Sequence, residues 1–524
     1  MSKFIDVSHK FTPIYVLLIV FILSVVLRLP YINNQNPTFA TAHSVIIEQI
    51  WYQTEQMHEQ HHFWLKGTFP FRGNQFIDGD IIGALTDKIG NRYYISYPPL
   101  GFIAPYVFFK VLHMYPDVVP FKIFNLVCQF TSALFVYLIT NFILRHQHAK
   151  AVLRHGTSLT AGILYLLCTE VLLFQMDYYF SVIFVITEFI IGIYIALQFF
   201  ESSRKQVGDY LLLGLIIAAM VYTEWLGIFF AISVLAYGFL FKKLDWKLIF
   251  TLIISCSLPC IAMIWQYSSI AGLNAFLLVA LQRYLLRSGL ASNVIGQKIT
   301  ALNLMPWLHI LWYFLLGYFP QLVLITGLLI WLKQRQMLAS VLKQPFFLKL
   351  VVLALLPCIL YGIVFFQYTS FHIFSVLDMA AFLMITIGIL LYHQLKSSTN
   401  SQVSWRLKTS ILLSVMTSCS IFYALQYYYH TDKNHPHFDV IGIPIAQTAK
   451  SDEVIFLQLT HNDVYNDRLV NPSLLYYTRR NVQRWQGNHL AELVIRKNGL
   501  HKGILFTLTP DGKQIESYRR FRVD

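Results

Sequence analysis

The chain has 524 residues, 56% of them hydrophobic, 16% aromatic and only 13% charged, with a formal net charge of +14. Soluble proteins carry about a quarter charged residues, so that class is excluded. The Lys and Arg are scattered over links between apolar runs, which argues against a nucleic-acid partner and for the basic loop bias of a membrane protein that also meets anionic lipid.

Residues 11–29 form the first apolar run. Lys3 and Lys10 precede it, which places the N-terminus in the cytoplasm and the following segment outside. No small-residue cleavage site follows, so the run is expected to remain as a span. Residues 30–119 then make a polar insert far longer than neighbouring helices need for a connection, and chemistry is expected there. After Pro30 and Pro37 a helix is predicted over 41–60. Glu48, Glu55 and Glu59 share one of its faces, and Ile46, Ile47, Ile50, Trp51 and Met57 give apolar contact, a pattern suited to the membrane interface. Glu48 has a bland alternative, as one member of that acidic face.

Metal ligands are sparse. His43, His58, His61 and His62 are loosely spaced, and a solvated interfacial helix explains them as well as a metal does. Asp78-Gly79-Asp80 could hold a divalent ion, but Asp-Gly is first a turn signal. A divalent metal is the one cofactor left open. All six cysteines lie inside apolar runs, where packing is their expected role.

The insert closes on Tyr93-Tyr94-Ile95-Ser96-Tyr97-Pro98-Pro99-Leu100 and a short apolar run over 99–114. If that run crossed the bilayer, the basic loop with Arg145, Lys150 and Arg154 would lie outside, and every later one would flip with it. Laid along the outer surface, it leaves Arg204, Lys205, Lys242, Lys243, Lys333, Arg335, Lys396 and Arg406 inside together. Spans are then expected at 121–144, 157–175, 178–199, 209–224, 225–241, 248–267, 306–332, 347–366, 371–393 and 408–426, about eleven with the first.

Three further outward features follow: a corner at Asp177, a corner at Thr223-Glu224-Trp225, and a loop over 268–305 carrying Arg283 and Arg287. Ionisable groups at span edges are costly and point to function. Asp177, Glu224, His372 and Asp378 are such groups, although Asp177 could instead cap a helix and Asp378 could be a packed, hydrogen-bonded group. Arg283 and Arg287, four apart on a predicted helix, can clamp a phosphate with their guanidinium forks or snorkel to headgroups. From 430 the composition turns polar. Strands are predicted at 454–459 and 503–508 with a helix at 489–497 between them. The chain thus divides into a transmembrane module over 1–429 and a small extracytoplasmic α/β tail over 430–524.

An insert after the first span, a Tyr-rich YISYPPL segment opening a surface helix, an acid at the second outward corner and the tail segment Pro472-Ser473-Leu474-Leu475-Tyr476-Tyr477-Thr478-Arg479 together resemble the GT-C glycosyltransferases. Within that superfamily the likeness is to the lipid A aminoarabinose transferase and protein O-mannosyltransferase branches. It covers the whole chain in layout, while its local motifs are short. The resemblance implies an all-α polytopic inner-membrane enzyme that takes a sugar from a polyprenyl-phosphate donor and passes it, with inversion, to a glycan, lipid or protein acceptor on the extracytoplasmic face.

It also implies an acidic base soon after the first span. Here that stretch reads Pro37-Thr38-Phe39-Ala40-Thr41-Ala42-His43-Ser44, with no Asp or Glu, and Glu48, His43 and Asp80 compete for the role, Glu48 slightly ahead. Asp177 matches the second acid of the family. Arg283 and Arg287 fall where the family often holds the lipid phosphate, and Tyr94, Tyr97, Glu224 and His372 join them as expected substrate contacts. Two rival readings are a flippase for a lipid-linked sugar and a degenerate relative that keeps the fold without catalysis. A flippase would be expected to show internal repeats or broken charged helices at mid-membrane, and neither is evident.

Overall fold

The computed structural model describes residues 2–32, 39–53, 84–86, 92–177, 179, 181–291, 303–397, 410–411, 413–426, 438–459, 472–478, 482–485, 487–497, 500–509 and 514–523. Asp80, His58, His61 and His62 lie outside them. The chain opens with α1 (Ser2–Ile32) and α2 (Phe39–Gln53), then a small antiparallel hairpin of β1 (Ala84–Thr86) and β2 (Arg92–Tyr94), then α3 (Leu100–Val111). The bundle continues through α4 (Val118–His146), α5 (Ala151–Leu166), α6 (Thr169–Asp177), α7 (Ser181–Glu201), α8 (Val207–Thr223), α9 (Leu226–Leu240), α10 (Trp246–Ala271), α11 (Leu273–Ser288) and α12 (Leu304–Gln334). After the short α13 (Leu338–Leu342) come α14 (Pro345–Val364), α15 (Phe366–Phe371), a 3₁₀ turn at Ile373–Met379, α16 (Ala380–Ser397) and α17 (Leu413–Gln426).

Among the described residues seven helices are long and apolar enough to cross a membrane, and α5 with α6 makes an eighth if that pair, bent by 53°, is one span. The chain is a multi-pass membrane protein. Helices α8, α9 and α17 are shorter apolar helices. α3 has twelve residues, about 18 Å at 1.5 Å per residue, too short for a hydrocarbon core of roughly 30 Å. It packs against α2, α4, α7 and α8 instead. The predicted span over 157–175 breaks at Leu167-Cys168 into α5 and α6.

A buried arginine ties the first helix into the bundle. Arg28 donates from Nε to Ser24 O at 3.0 Å, from Nη2 to Gln129 Oε1 at 2.9 Å and from Nη1 to Leu172 O at 3.3 Å. A guanidinium within apolar surroundings is tolerated because its donors are met in this way.

The tail contains α18 (Phe438–Thr448), β3 (Glu453–Leu459), α19 (Pro472–Thr478), β4 (Val482–Arg484), α20 (Asn488–Lys497), β5 (Lys502–Leu508) and β6 (Ile515–Arg522). Its sheet runs β4-β3-β5-β6, with β3 parallel to β4 and β5, and β6 antiparallel at the edge. Alternation along the central strands explains how it is seated. Val454, Phe456 and Leu505 face Ala491 and Ile495 of α20, whereas Ile455, Leu457, Ile504 and Phe506 join the main core with Ile441, Leu474 and Tyr476. Successive strand residues point to opposite faces, so the sheet is buried on both sides.

The insert differs from its predicted amphipathic form. On α2, Thr41, Ala42, Ser44, Val45, Ile46, Ile47, Glu48, Gln49 and Trp51 are all buried. The helix is enclosed, because α19 of the tail packs against it from one side and α3 and α4 from others. Sequence periodicity reports polarity, and it could not anticipate a cover arriving from the far end of the chain.

Candidate active site

Two groups of side chains meet at one end of the bundle. The first centres on α2. Thr41, Ser44 and Glu48 recur at helical spacing and form one stripe, which abuts the short segment between α6 and α7. There the backbone N–H of Tyr179 donates to Thr41 Oγ1 at 3.2 Å, and Ser44 Oγ donates to the Tyr179 carbonyl at 3.1 Å. Asn125 Nδ2 of α4 donates to Met176 O at 3.0 Å. Asp177, the last residue of α6, is thus carried on backbone held from both sides. The structure brings the Glu48 helix and the Asp177 corner together.

Glu48 is fully buried, and among the described residues neither carboxylate oxygen has a hydrogen-bond partner. Burial alone pushes its carboxyl well above the usual carboxylate range. A charged carboxylate kept there without a partner would cost several kcal/mol, so the group holds a proton readily and is poised to exchange it. The Tyr179 side chain lies within electrostatic reach of Glu48 and of Glu188 on α7. His43 occupies the same helix as Glu48.

The second group is aromatic and basic. The Arg287 guanidinium of α11 lies over the Tyr97 ring at 4.4 Å and the Tyr368 ring at 5.2 Å. Tyr97 OH donates to Tyr368 OH at 3.1 Å, and Tyr267 OH donates to the Tyr97 carbonyl at 2.8 Å. Glu224, the C-cap of α8, accepts from Tyr361 OH at 2.9 Å and from the Leu226 N–H at 2.9 Å, and Arg287 acts on it electrostatically. His372 lies against the Tyr368 ring at 4.4 Å and stacks on Phe374 at 5.1 Å. Four residues expected from the sequence (Tyr97, Glu224, Arg287 and His372) therefore converge. Arg283 sits one turn before Arg287 on α11, and Tyr94 pairs with Ala84 in the hairpin. That hairpin seats Leu85 and Ile95 on Met263, Tyr267, Ile270 and Phe276 of α10 and α11.

The YISYPPLG turn joins the two groups. Tyr179 OH donates to the Gly101 carbonyl, four residues after Tyr97. A Cβ on Gly101 would stand 2.2 Å from Ser181 Oγ and 2.6 Å from Ser181 Cβ. Only glycine lets α3 approach α7 this closely.

Sequence reasoning passed over Glu188 and Glu170. Glu188 Oε2 and Glu170 Oε1 are buried without hydrogen-bond partners, as is Asp378 Oδ1, and Glu170 and Asp378 are electrostatic neighbours in the core. A sweep for every acid inside a predicted span would have found both. Tyr361 and Tyr368 carried no local signal, because their partners are 137 and 271 residues away. Among the described residues no three His, Cys, Asp or Glu gather as a metal site.

No protein-family model matches the chain, and no curated protein matches it. Solved structures do. The Archaeoglobus fulgidus oligosaccharyltransferase in its apo form superposes with a TM-score of 0.54 at 11% identity, over 95% of this chain and 70% of that one. The same organism's oligosaccharyltransferase AglB, in complex with an inhibitory peptide and a dolichol-phosphate, gives 0.52 at 11% identity with the same coverage. ArnT from Cupriavidus metallidurans, in the apo state, gives 0.51 at 12% identity over 97% of this chain and 94% of that one. Sequence identity this low speaks to architecture alone, and the architecture is shared over nearly the whole of this chain: it has the fold of these polytopic membrane proteins.

Proposed function

We propose that the chain is an integral-membrane glycosyltransferase that moves a sugar from a polyprenyl-phosphate donor to a glycan, lipid or protein acceptor at the extracytoplasmic face of the plasma membrane. One observation carries this reading: Glu48 is a buried, unpartnered carboxyl held against the Asp177 corner. The fold supports the reaction class, and the structural relative that binds a dolichol-phosphate supports a lipid-phosphate donor.

In this scheme the acceptor hydroxyl gives its proton to Glu48 as its oxygen bonds to the anomeric carbon of the sugar. The bond from that carbon to the phosphate oxygen breaks, and its electron pair leaves on the polyprenyl phosphate. A single displacement of this kind inverts the anomeric carbon. Asp177 sets a carboxylate near the positive charge that develops on the sugar. Arg287 and Arg283 meet the negative charge that develops on the phosphate, while Tyr97, Glu224 and His372 line that side and Tyr94 remains an expected substrate contact. His43 and Asp80 are the rival bases.

The test uses the purified full chain and a panel of labelled polyprenyl-phosphate sugars, scoring release of the polyprenyl phosphate. Release by the native protein, lost in Glu48→Gln and in Asp177→Asn with folding retained, is the expected result. Unchanged release in both variants would remove this site.

A further inference from the structure

At the other end of α8 from Glu224, an apolar groove of about 470 Å³ opens between α8 and α10. The two helices run parallel and pack along their length, and their first residues lie at the same end of the bundle. With 17 residues in α8, the groove mouth is about 25 Å from Glu224 at 1.5 Å per residue, which puts it at the opposite membrane surface from the candidate active site. Leu211, Leu215, Phe250, Ile254 and Leu258 give it exposed apolar walls. Trp246 and Lys247 stand at its mouth, Trp246 71% exposed, in the arrangement that aromatic and basic residues take at a headgroup layer.

The charges around the mouth are unevenly matched. Lys205 pairs with Asp245 at 3.4 Å, while Lys243 and Lys349 both pair with Glu201, at 3.3 and 2.6 Å. Asp245 also accepts from Tyr210 OH and the Leu248 N–H, and Asp209 accepts from the Gln206 N–H. The carboxylates of this surface are thus engaged elsewhere. Among the described residues no carboxylate lies within ion-pair distance of Lys247, whose charge sits 5.9 Å from the Trp246 ring.

We infer that this groove is a specific site for an anionic phospholipid, its phosphate on Lys247 beside Trp246 and one acyl chain laid between α8 and α10. The occupant belongs to the leaflet opposite the proposed transfer reaction, so it is structural lipid and not the sugar donor. An apolar slot with one unmatched cation at its headgroup end has the shape and charge for this ligand.

The experiment is native mass spectrometry of the intact chain in detergent, titrated with phosphatidylglycerol and, separately, with phosphatidylcholine of matched acyl chains. The native protein should retain phosphatidylglycerol about fivefold better, the worth of one lysine against an anionic surface. Lys247→Ser should erase that preference without lowering phosphatidylcholine retention, and Ala218→Phe, which fills the groove, should lower both. Lys247 is exposed, so its variant decides the matter even where Ala218→Phe misfolds. Equal retention of the two lipids by the native chain, or an unaltered preference in Lys247→Ser, would overturn the inference. So would a dimer mass that excess phosphatidylglycerol leaves intact, since a second copy would then fill the groove.

Discussion

The two halves of the candidate site use burial in opposite ways. Around Arg287 several polar groups answer one another, a guanidinium over two tyrosine rings, a carboxylate holding a hydroxyl and an N–H, a tyrosine pair sharing a hydrogen bond, although Ser96 Oγ and Gln367 Oε1 stay unmatched there among the described residues. Around Glu48 the backbone is fastened while the acid itself is left unmatched. Satisfied networks fix geometry, and an unsatisfied titratable group keeps its chemistry available. On the proposed reading the first half holds and the second half transfers a proton.

The sharpest break of this contrast is Glu48→Gln. It preserves shape and removes the proposed base, and polyprenyl-phosphate release should fall about 10²- to 10⁴-fold, the usual contribution of a positioned base, with little change in KM. Arg287→Ala attacks the holding half. Release at low donor concentration should fall by roughly 10-fold or more, carried largely by KM. Thermal unfolding should come earlier as well, because Glu224 would lose the nearby positive charge that favours its ionised form while staying buried. If both variants gave the same split between kcat and KM, the division of labour would be refuted.

The pH dependence sharpens it further. Because burial raises the Glu48 pKa, its base form appears only at pH above the ordinary carboxylate range, so the acid limb of transfer should lie well above about 4.3. The linked effect on stability has the opposite sense. The folded chain holds this proton longer than the unfolded chain, so the cost of folding is absent below the unfolded value, grows as pH rises through it, and levels off past the folded value. Glu48→Gln should flatten both trends, which a pH series of release rates and melting temperatures reads directly.

The joint between the halves is tested by Gly101→Ala. The added Cβ meets Ser181, and overpacking of this kind costs about 1–3 kcal/mol, visible as a lower melting temperature. The double variant with Ser181→Gly should recover most of it. The smallest effect is expected from Tyr476→Phe. Its hydroxyl donates to Asp117 Oδ1 at 2.5 Å, and losing that bond should lower stability by about 1 kcal/mol while leaving KM unchanged.

Much of the architecture could be read in advance, because apolar runs of span length and basic loops are local signals. The tail strands at 454–459 and 503–508 and the helix at 489–497 were equally legible, being short apolar runs with helical periodicity between them, and the structure extends them only by a residue. The edge strand β6 was not, since Ile515–Arg522 is mostly exposed and carries no alternation. Within the site, Arg287 and Glu224 stood out as charges at span edges. Tyr361, Tyr368 and the enclosure of α2 did not, because each depends on a partner more than a hundred residues away.

The docking of α19 on α2 has a consequence for how the protein matures. Tyr476 and Asp117 are 359 positions apart, so the membrane bundle is synthesised before the helix that carries Glu48 receives its cover. A chain stopped short of Pro472 should therefore insert into the bilayer yet leave α2 without that cover.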